Sequence, residues 1–278
     1  MEAIWRRTLM KRYNELMDGK KIILAAHRGD RAHCPENTMA AFMAAAELGC
    51  DMIETDIHMT ADGHLIIMHD RDVKRTTNGS GLTDQMALAE IRSLDAGSWK
   101  GEQFVGEKVP TVEEFMEFVQ KTPMTVNWEL KDYPGEVGDE FAFGCADKLI
   151  ALIEQYGMAE RSMFNSFSER VLEYIVDKYP GKFVIHGQGI NTCSARKDIP
   201  SKAPETFFDW VCMYGKTAET PAGRKEDYDY AIAHDIIPCI CFDDVEENYR
   251  LAVSMGCRMF TSNDPQEGIA ILKRMGER

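Results

Sequence analysis

The sequence predicts a (β/α)8 TIM barrel with a hairpin and a small insertion after the second strand, and two observations carry that prediction. First, short apolar segments at 22–26, 52–56, 125–130, 162–166, 183–186, 210–213, 238–242 and 259–262 alternate with helix-like stretches at 38–48, 112–121, 143–156, 169–178, 226–234 and 246–254. Eight strands with intervening helices over about 250 residues is the arithmetic of one α/β barrel. Second, no low-complexity tract or Pro/Gly/Ser-rich linker divides the chain. The 278 residues therefore read as an N-terminal amphipathic helix over 1–21 and a single barrel over 22–278, with an insertion at 71–110.

In chain order, Trp5, Leu9, Tyr13, Leu16 and Met17 recur at helical spacing, which makes 1–21 an amphipathic helix. Arg6, Arg7, Lys11 and Arg12 interrupt the apolar core that a secretory signal needs. Packing on the main domain is its expected role, ahead of adhesion to an anionic membrane. The first strand ends in His27-Arg28-Gly29, where glycine permits a tight turn. Pro35-Glu36-Asn37-Thr38 follows. Asn37 or Thr38 caps the next helix, leaving Glu36 near the mouth in either a structural or a chemical role.

Alternation along the second strand points Glu54 and Asp56 to one side. Asp62-Gly63 marks a turn between two strand-like runs that lie too close for a parallel crossover, so the second run returns antiparallel. A turn centred on residues 61–62 sets His69 opposite Glu54, and one centred on 62–63 sets it opposite Asp56. Either register brings His69 beside both carboxylates. Residues 71–110, too long for an ordinary βα loop, read as an insertion folded over one end of the barrel. Glu129 and Lys131 repeat the i, i+2 pairing at the end of the next strand, and Trp128, of opposite parity, faces the helices. His58 and His64 are expected on the hairpin surface, and His186 in a structural role at a strand end.

A lone Glu-x-Asp or strand-end histidine favours a bland structural reading by roughly three to one. Glu54, Asp56 and Glu129 converging on one barrel mouth reverse those odds, because buried carboxylates repel one another unless a cation joins them. Composition adds exclusions. With 28% charged and 44% hydrophobic residues the chain is not a disordered one. A net charge of −14 (32 basic, 46 acidic) argues against nucleic acid as a partner. Much of the excess lies in 205–249, read as a solvated face. No run approaches the roughly 18–20 apolar residues of a transmembrane segment. Eight cysteines without a CxxC knuckle or an export signal suggest buried thiols and a cytoplasmic location.

HRGDRAHCPENTMAAF at 27–42, IETDIHMTADGHLIIMHD at 53–70, TTNGSG at 76–81, LDAGSW at 94–99, NWELKD at 127–132, NSF at 165–167 and FTSNDP at 260–265 resemble the glycerophosphodiester phosphodiesterases. The resemblance runs over residues 22–265 with the motifs in order. It implies a barrel that uses one divalent metal ion, Ca2+ or Mg2+, to hydrolyse small-molecule glycerophosphodiesters to glycerol 3-phosphate and an alcohol, a reaction of lipid and glycerol metabolism. It further implies His27 and His69 as the general acid–base pair, Glu54, Asp56 and Glu129 as metal ligands, and Arg28 and Lys131 as phosphate contacts. Water or a substrate hydroxyl serves as nucleophile. A departure stands at Ile240-Cys241-Phe242-Asp243, where many relatives carry a Trp-Thr-Val-Asn-like run; loss of that tryptophan is expected to alter the surface receiving the alcohol. The alternatives are a lysophospholipase D-like enzyme and a catalytically silent phosphate-binding barrel. A metal-dependent sugar isomerase or aldolase on the same architecture is disfavoured, since fold alone does not confer chemistry.

Overall fold

A computed structural model describes residues 22–191, 193–214 and 222–278; the segment expected as the N-terminal helix lies outside the described residues. The strands are β1 (Ile23–His27), β2 (Met52–Met59), β3 (Leu65–Ile67), β4 (Thr125–Leu130), β5 (Ser162–Asn165), β6 (Val184–Gly187), β7 (Gly189–Ile190), β8 (Cys193–Ser194), β9 (Trp210–Met213), β10 (Ile237–Phe242) and β11 (Met259–Ser262). The α-helices are α1 (Met39–Leu48), α2 (Leu88–Ser93), α3 (Val112–Val119), α4 (Pro134–Val137), α5 (Asp139–Gln155), α6 (Glu169–Lys178), α7 (Lys225–Ala233), α8 (Glu246–Met255) and α9 (Pro265–Met275). Among the described residues, β1, β2, β4, β5, β6, β9, β10 and β11 run parallel in that order, and the β1–β11 pairing closes the barrel. The expected strands are all present. Helix α9 was not among the expected stretches; the Asp264 side chain caps it and Pro265 occupies its first turn.

Alternation along each strand divides the core in two. Ile23, Ala25, Met52, Met163, Val184, Trp210, Cys212, Cys239 and Met259 fill the barrel. Leu24, Ile53, Val126, Trp128, Phe164, Val211, Ile240 and Phe260 pack outward under the helices. Trp128 meets Phe115 of α3 edge-to-face at 5.4 Å, and Phe115 meets Phe42 of α1 at 4.7 Å. Aromatic pairs of this geometry add to the stabilisation from buried area. The outward position of Ile240 corrects one expectation. A residue there faces α-helices rather than the mouth, and the inward neighbour is Cys241, whose Sγ lies 3.7 Å from His27 Nδ1.

The hairpin forms in neither expected register. Ile57 pairs with Ile67, His58 with Ile66 and Met59 with Leu65, which extrapolates His69 to a position opposite Thr55. The turn has an odd number of residues. Thr60 N–H donates to His64 O, Gly63 N–H to Thr60 O, and His64 N–H to Thr60 Oγ1. The strand ends at Ile67, Met68 N–H still donates to Asp56 O at 3.0 Å, and the chain bends at His69. His58 is also not on the surface. It is buried, with Nδ1 2.6 Å from Asp132 Oδ1. The alternation that turns Glu54 and Asp56 inward carries His58 inward too. His64 is exposed, as expected.

The insertion builds a small core from Ile66, Met68, Val73, Ile91, Ala96 and Val109. It is tied to the loop after β1: Lys100 Nζ donates to Arg31 O at 2.7 Å, and Arg75 reaches Glu36. It therefore lies over the end of the barrel where β1 finishes.

Candidate active site

Strand register sets the first layer of the mouth. His27 pairs with Glu54, Asp56 with Glu129, and Glu129 with Asn165. At the tip of β1, Arg28 has φ 60° and Gly29 φ 79°. A Cβ on Gly29 would come within 2.6 Å of the Ala41 backbone, so the turn requires glycine. The chain then loops back, and Asn37 N–H donates to Arg28 O at 3.0 Å. Thr38 caps α1, which leaves the Asn37 side chain for another task. Its Nδ2 donates to Asp56 Oδ2 at 2.7 Å, while its Oδ1 accepts from Thr55 at 3.0 Å.

Glu54, Asp56 and Glu129 are all buried, and one carboxylate oxygen from each lies within 4.8 Å of the others. Two cations stand among them. Lys131 Nζ donates to Glu129 Oε1 at 2.6 Å and lies 3.5 Å from Asp56 Oδ1; Arg28 Nε lies 3.2 Å from Asp56 Oδ2. Burial opposes the charge on Asp56, but Lys131 and Arg28 hold its carboxyl well below the usual range. Glu54 goes the other way: burial, then Asp56 and Glu129, push it well above. Glu54 Oε2 and Asp56 Oδ1 are buried without a hydrogen-bond donor among the described residues. Three buried oxygen ligands, two of them with orphaned atoms, fit a hard divalent cation, whose charge would offset the burial and the repulsion that raise the Glu54 pKa. Glu54, Asp56 and Glu129 could therefore hold a metal ion.

Both predicted histidines reach this mouth with one nitrogen already engaged. His27 Nδ1 lies 2.7 Å from Asn263 Oδ1, an oxygen that Arg31 also donates to at 3.3 Å. An amide oxygen only accepts, so Nδ1 carries the proton, and Nε2 faces Glu54 Oε2 at 3.8 Å. Burial and the neighbouring Arg28 guanidinium push His27 down to about 3. His69 Nδ1 lies 2.5 Å from Asp70 Oδ1, which likewise assigns its proton to Nδ1. Burial lowers its pKa, opposed by Asp56. Arg75 in turn holds Asp70, at 2.5 Å from Nε to Oδ2.

Glu36 is an anchor for cations. Its carboxylate takes Arg28 at 2.8 Å, Arg75 at 2.8 Å and Arg31 at 3.4 Å. Burial works against its charge, and the Arg75 and Arg28 contacts overcome that, holding it at about 2. The seven predicted site residues thus meet at one end of the barrel. Sequence reading left out Asn37, Asp70, Arg75 and Asn263, whose partners lie up to 236 residues away. The adjacency of His69 and Asp70 was the signal the sequence offered, whereas the positive φ of Asn37 is visible only in the structure. His186 is placed deeper, buried between Asn127 and Cys239. Beside Asn263 opens a cleft of about 380 Å3, with Arg31, Asp243, Asp264 and Glu267 on its walls.

The chain was compared with known proteins. The model of the glycerophosphoryl diester phosphodiesterase family matches residues 27–210. A glycerophosphodiester phosphodiesterase of Caldanaerobacter subterraneus is 42% identical over 164 residues, covering 58% of this chain and 64% of that protein. One from Bacillus subtilis is 38% identical over 151 residues, covering 51% and 48%. The chain thus spans less than two thirds of the length of these curated relatives. Among solved structures, a glycerophosphodiester phosphodiesterase from Agrobacterium tumefaciens superposes with a TM-score of 0.70 at 25% identity, covering 90% of this chain and 99% of that one. An Oleispira antarctica phosphodiesterase, solved with the product sn-glycerol-3-phosphate, gives 0.76 at 24% identity, covering 90% and 96%.

Proposed function

The chain belongs to the glycerophosphoryl diester phosphodiesterase family, and on that premise we propose that it is a metal-dependent phosphodiesterase that hydrolyses glycerophosphodiesters to glycerol 3-phosphate and an alcohol. The observation that carries this reading is the pairing of three converging carboxylates with two nearby histidines, each of which has Nδ1 engaged by a side-chain oxygen. Glu54, Asp56 and Glu129 would hold a divalent cation, Ca2+ or Mg2+, which would supply positive charge against the phosphate oxygens. Arg28 and Lys131 add fixed positive charge; burial disfavours both cations, yet the surrounding carboxylates hold each pKa above its ordinary value. They remain charged while the equatorial oxygens gain charge in the transition state.

Burial lowers the pKa of both histidines, which favours their neutral forms before substrate binds. A bound phosphodiester brings negative charge that offsets the Arg28 guanidinium beside His27. One neutral Nε2 then removes the proton from the attacking hydroxyl or water, while the other histidine, having taken a proton from solvent at Nε2 once the bound anion raises its pKa, delivers that proton to the leaving alkoxide. Asp70 suits the His69 imidazole to the charged form that either role requires, as a carboxylate does for any catalytic imidazolium.

The test is release of glycerol 3-phosphate from glycerophosphocholine and related diesters by the purified chain, with Ca2+ or Mg2+ and then with EDTA. Turnover that stops in EDTA and returns with the metal is the expected result. Turnover of lysophospholipids without any of the diesters would favour the lysophospholipase D-like alternative. Metal binding without turnover of either class would favour the silent barrel.

A further inference from the structure

A second group of ligand-type side chains lies inside the barrel, away from the carboxylates. His186 on β6, Cys212 on β9 and Cys239 on β10 are buried, and one donor atom from each lies within 4.8 Å of the others. The pairing of β9 with β10 places Cys212 and Cys239 directly opposite one another. His186 Nε2 lies 3.0 Å from Cys239 Sγ. Their neighbours in this layer are Ile23, Ala25, Met52, Met163, Val184, Trp210 and Met259. A single buried cysteine in such a layer is an ordinary small filler. Two in register, with an imidazole held against one of them, set two thiols and an ionisable ring among side chains that are mostly hydrocarbon, thioether and indole.

The imidazole is held from behind. Asn127 Nδ2 lies 3.0 Å from His186 Nδ1, Asn165 Nδ2 donates to Asn127 Oδ1 at 2.9 Å, and Gln188 Nε2 donates to Asn165 Oδ1 at 3.0 Å. Tyr214 OH donates to Gln188 Oε1 and closes the chain. Turning each amide end for end exchanges its nitrogen and oxygen and reverses every donor with no other heavy atom displaced. In that sense Nδ1–H donates to Asn127, and the Nε2 lone pair is released toward Cys239. Buried partners of this kind fix the tautomer and direction of a metal-binding histidine.

We propose that His186, Cys212 and Cys239 form a second metal site, one that takes a thiophilic d10 cation of the Zn2+ class rather than the hard cation of the mouth. Two sulfurs and an imidazole nitrogen are the donors such ions prefer, whereas Ca2+ and Mg2+ demand oxygen. Donors bound to one ion, at about 2.3 Å for sulfur and about 2.0 Å for nitrogen, stand roughly 3.5–4 Å apart. The present spacing needs only small side-chain adjustments to reach that. Binding replaces the two thiol protons by one cation, and the protons leave to solvent. Cys239 is two residues deeper along β10 than Cys241, which touches His27. The ion would therefore brace the layer directly beneath the mouth.

Co2+ titration of the full-length chain in saturating Mg2+ tests this, because thiolate ligation gives a near-ultraviolet charge-transfer band that oxygen ligands do not. The expected result is a band saturating at one Co2+ per chain and displaced by Zn2+. It should persist in Glu129→Gln and vanish in Cys212→Ser and Cys239→Ser. Asn127→Leu should weaken Zn2+ binding by about 10–100-fold. Co2+ binding without a thiolate band, or a band that survives in both serine variants, overturns the site. If the serine variants do not fold, the parent spectrum decides alone: a band at one equivalent supports the site, and its absence refutes it.

Discussion

Two layers of the same barrel answer burial in opposite ways. At the mouth, Glu54, Asp56 and Glu129 crowd together with orphaned carboxylate oxygens, and Glu54 is pushed toward its neutral form. One layer deeper, His186, Asn127, Asn165 and Gln188 pass hydrogen bonds from one to the next. The amide relay behind His186 is internally satisfied and so holds the imidazole in place before any ion binds there. The mouth is not: Glu54 and Asp56 each keep a buried oxygen without a hydrogen-bond donor among the described residues, and on the proposed function a divalent cation would offset their repulsion. Buried polar groups left without partners are the mark of a site whose partners come from outside.

The comparison can be broken most severely at the histidines. His27→Ala should lower the rate of diester hydrolysis by about 10²–10⁴-fold while leaving divalent-cation binding intact, as calorimetry would show. Equal losses of both would mean that His27 holds the mouth together rather than moving protons. Lys131→Met should cost about 10²–10³-fold in kcat, since it removes fixed charge from the transition state. It should also leave Glu129 without its ion-pair partner.

Next in size come two stability effects. Trp128→Ala removes the ring that α3 packs on and should cost about 3–5 kcal/mol in denaturant unfolding. The diester turnover of molecules that remain folded should change far less. Glu36→Gln strips a carboxylate from Arg28, Arg31 and Arg75 and should cost roughly 3 kcal/mol near neutrality. The sign of its pH dependence follows from the depressed pKa of about 2 against an ordinary 4.5. The stabilisation is complete above pH 4.5 and disappears as pH falls through 2, so parent and variant unfolding curves should converge over that window. Parallel curves would show that Glu36 acts through packing.

The barrel was legible because eight apolar runs could be nothing but strands once helices were spaced between them, and parity alone carried Trp128 outward and Glu54 and Asp56 inward. Parity was not pressed far enough at His58, which belongs to the same face. It also showed, once the strand was seen, that Ile240 turns away from the mouth. The hairpin register was not legible, because an odd-membered turn closed by the Thr60 side chain looks the same in sequence as a two-residue one. Asn263 and Arg75 were hidden for another reason. Each works through a partner brought near only by closure of the barrel or by the fold of the insertion.

The claim that the three carboxylates exist to bind a catalytic cation is tested most directly by glycerol 3-phosphate release across a Mg2+ or Ca2+ titration, run on the parent and on Glu129→Gln. The account predicts turnover that vanishes in EDTA, saturates with metal in the parent, and in the variant needs far more metal or never appears. Equal turnover by parent and variant in EDTA would contradict it.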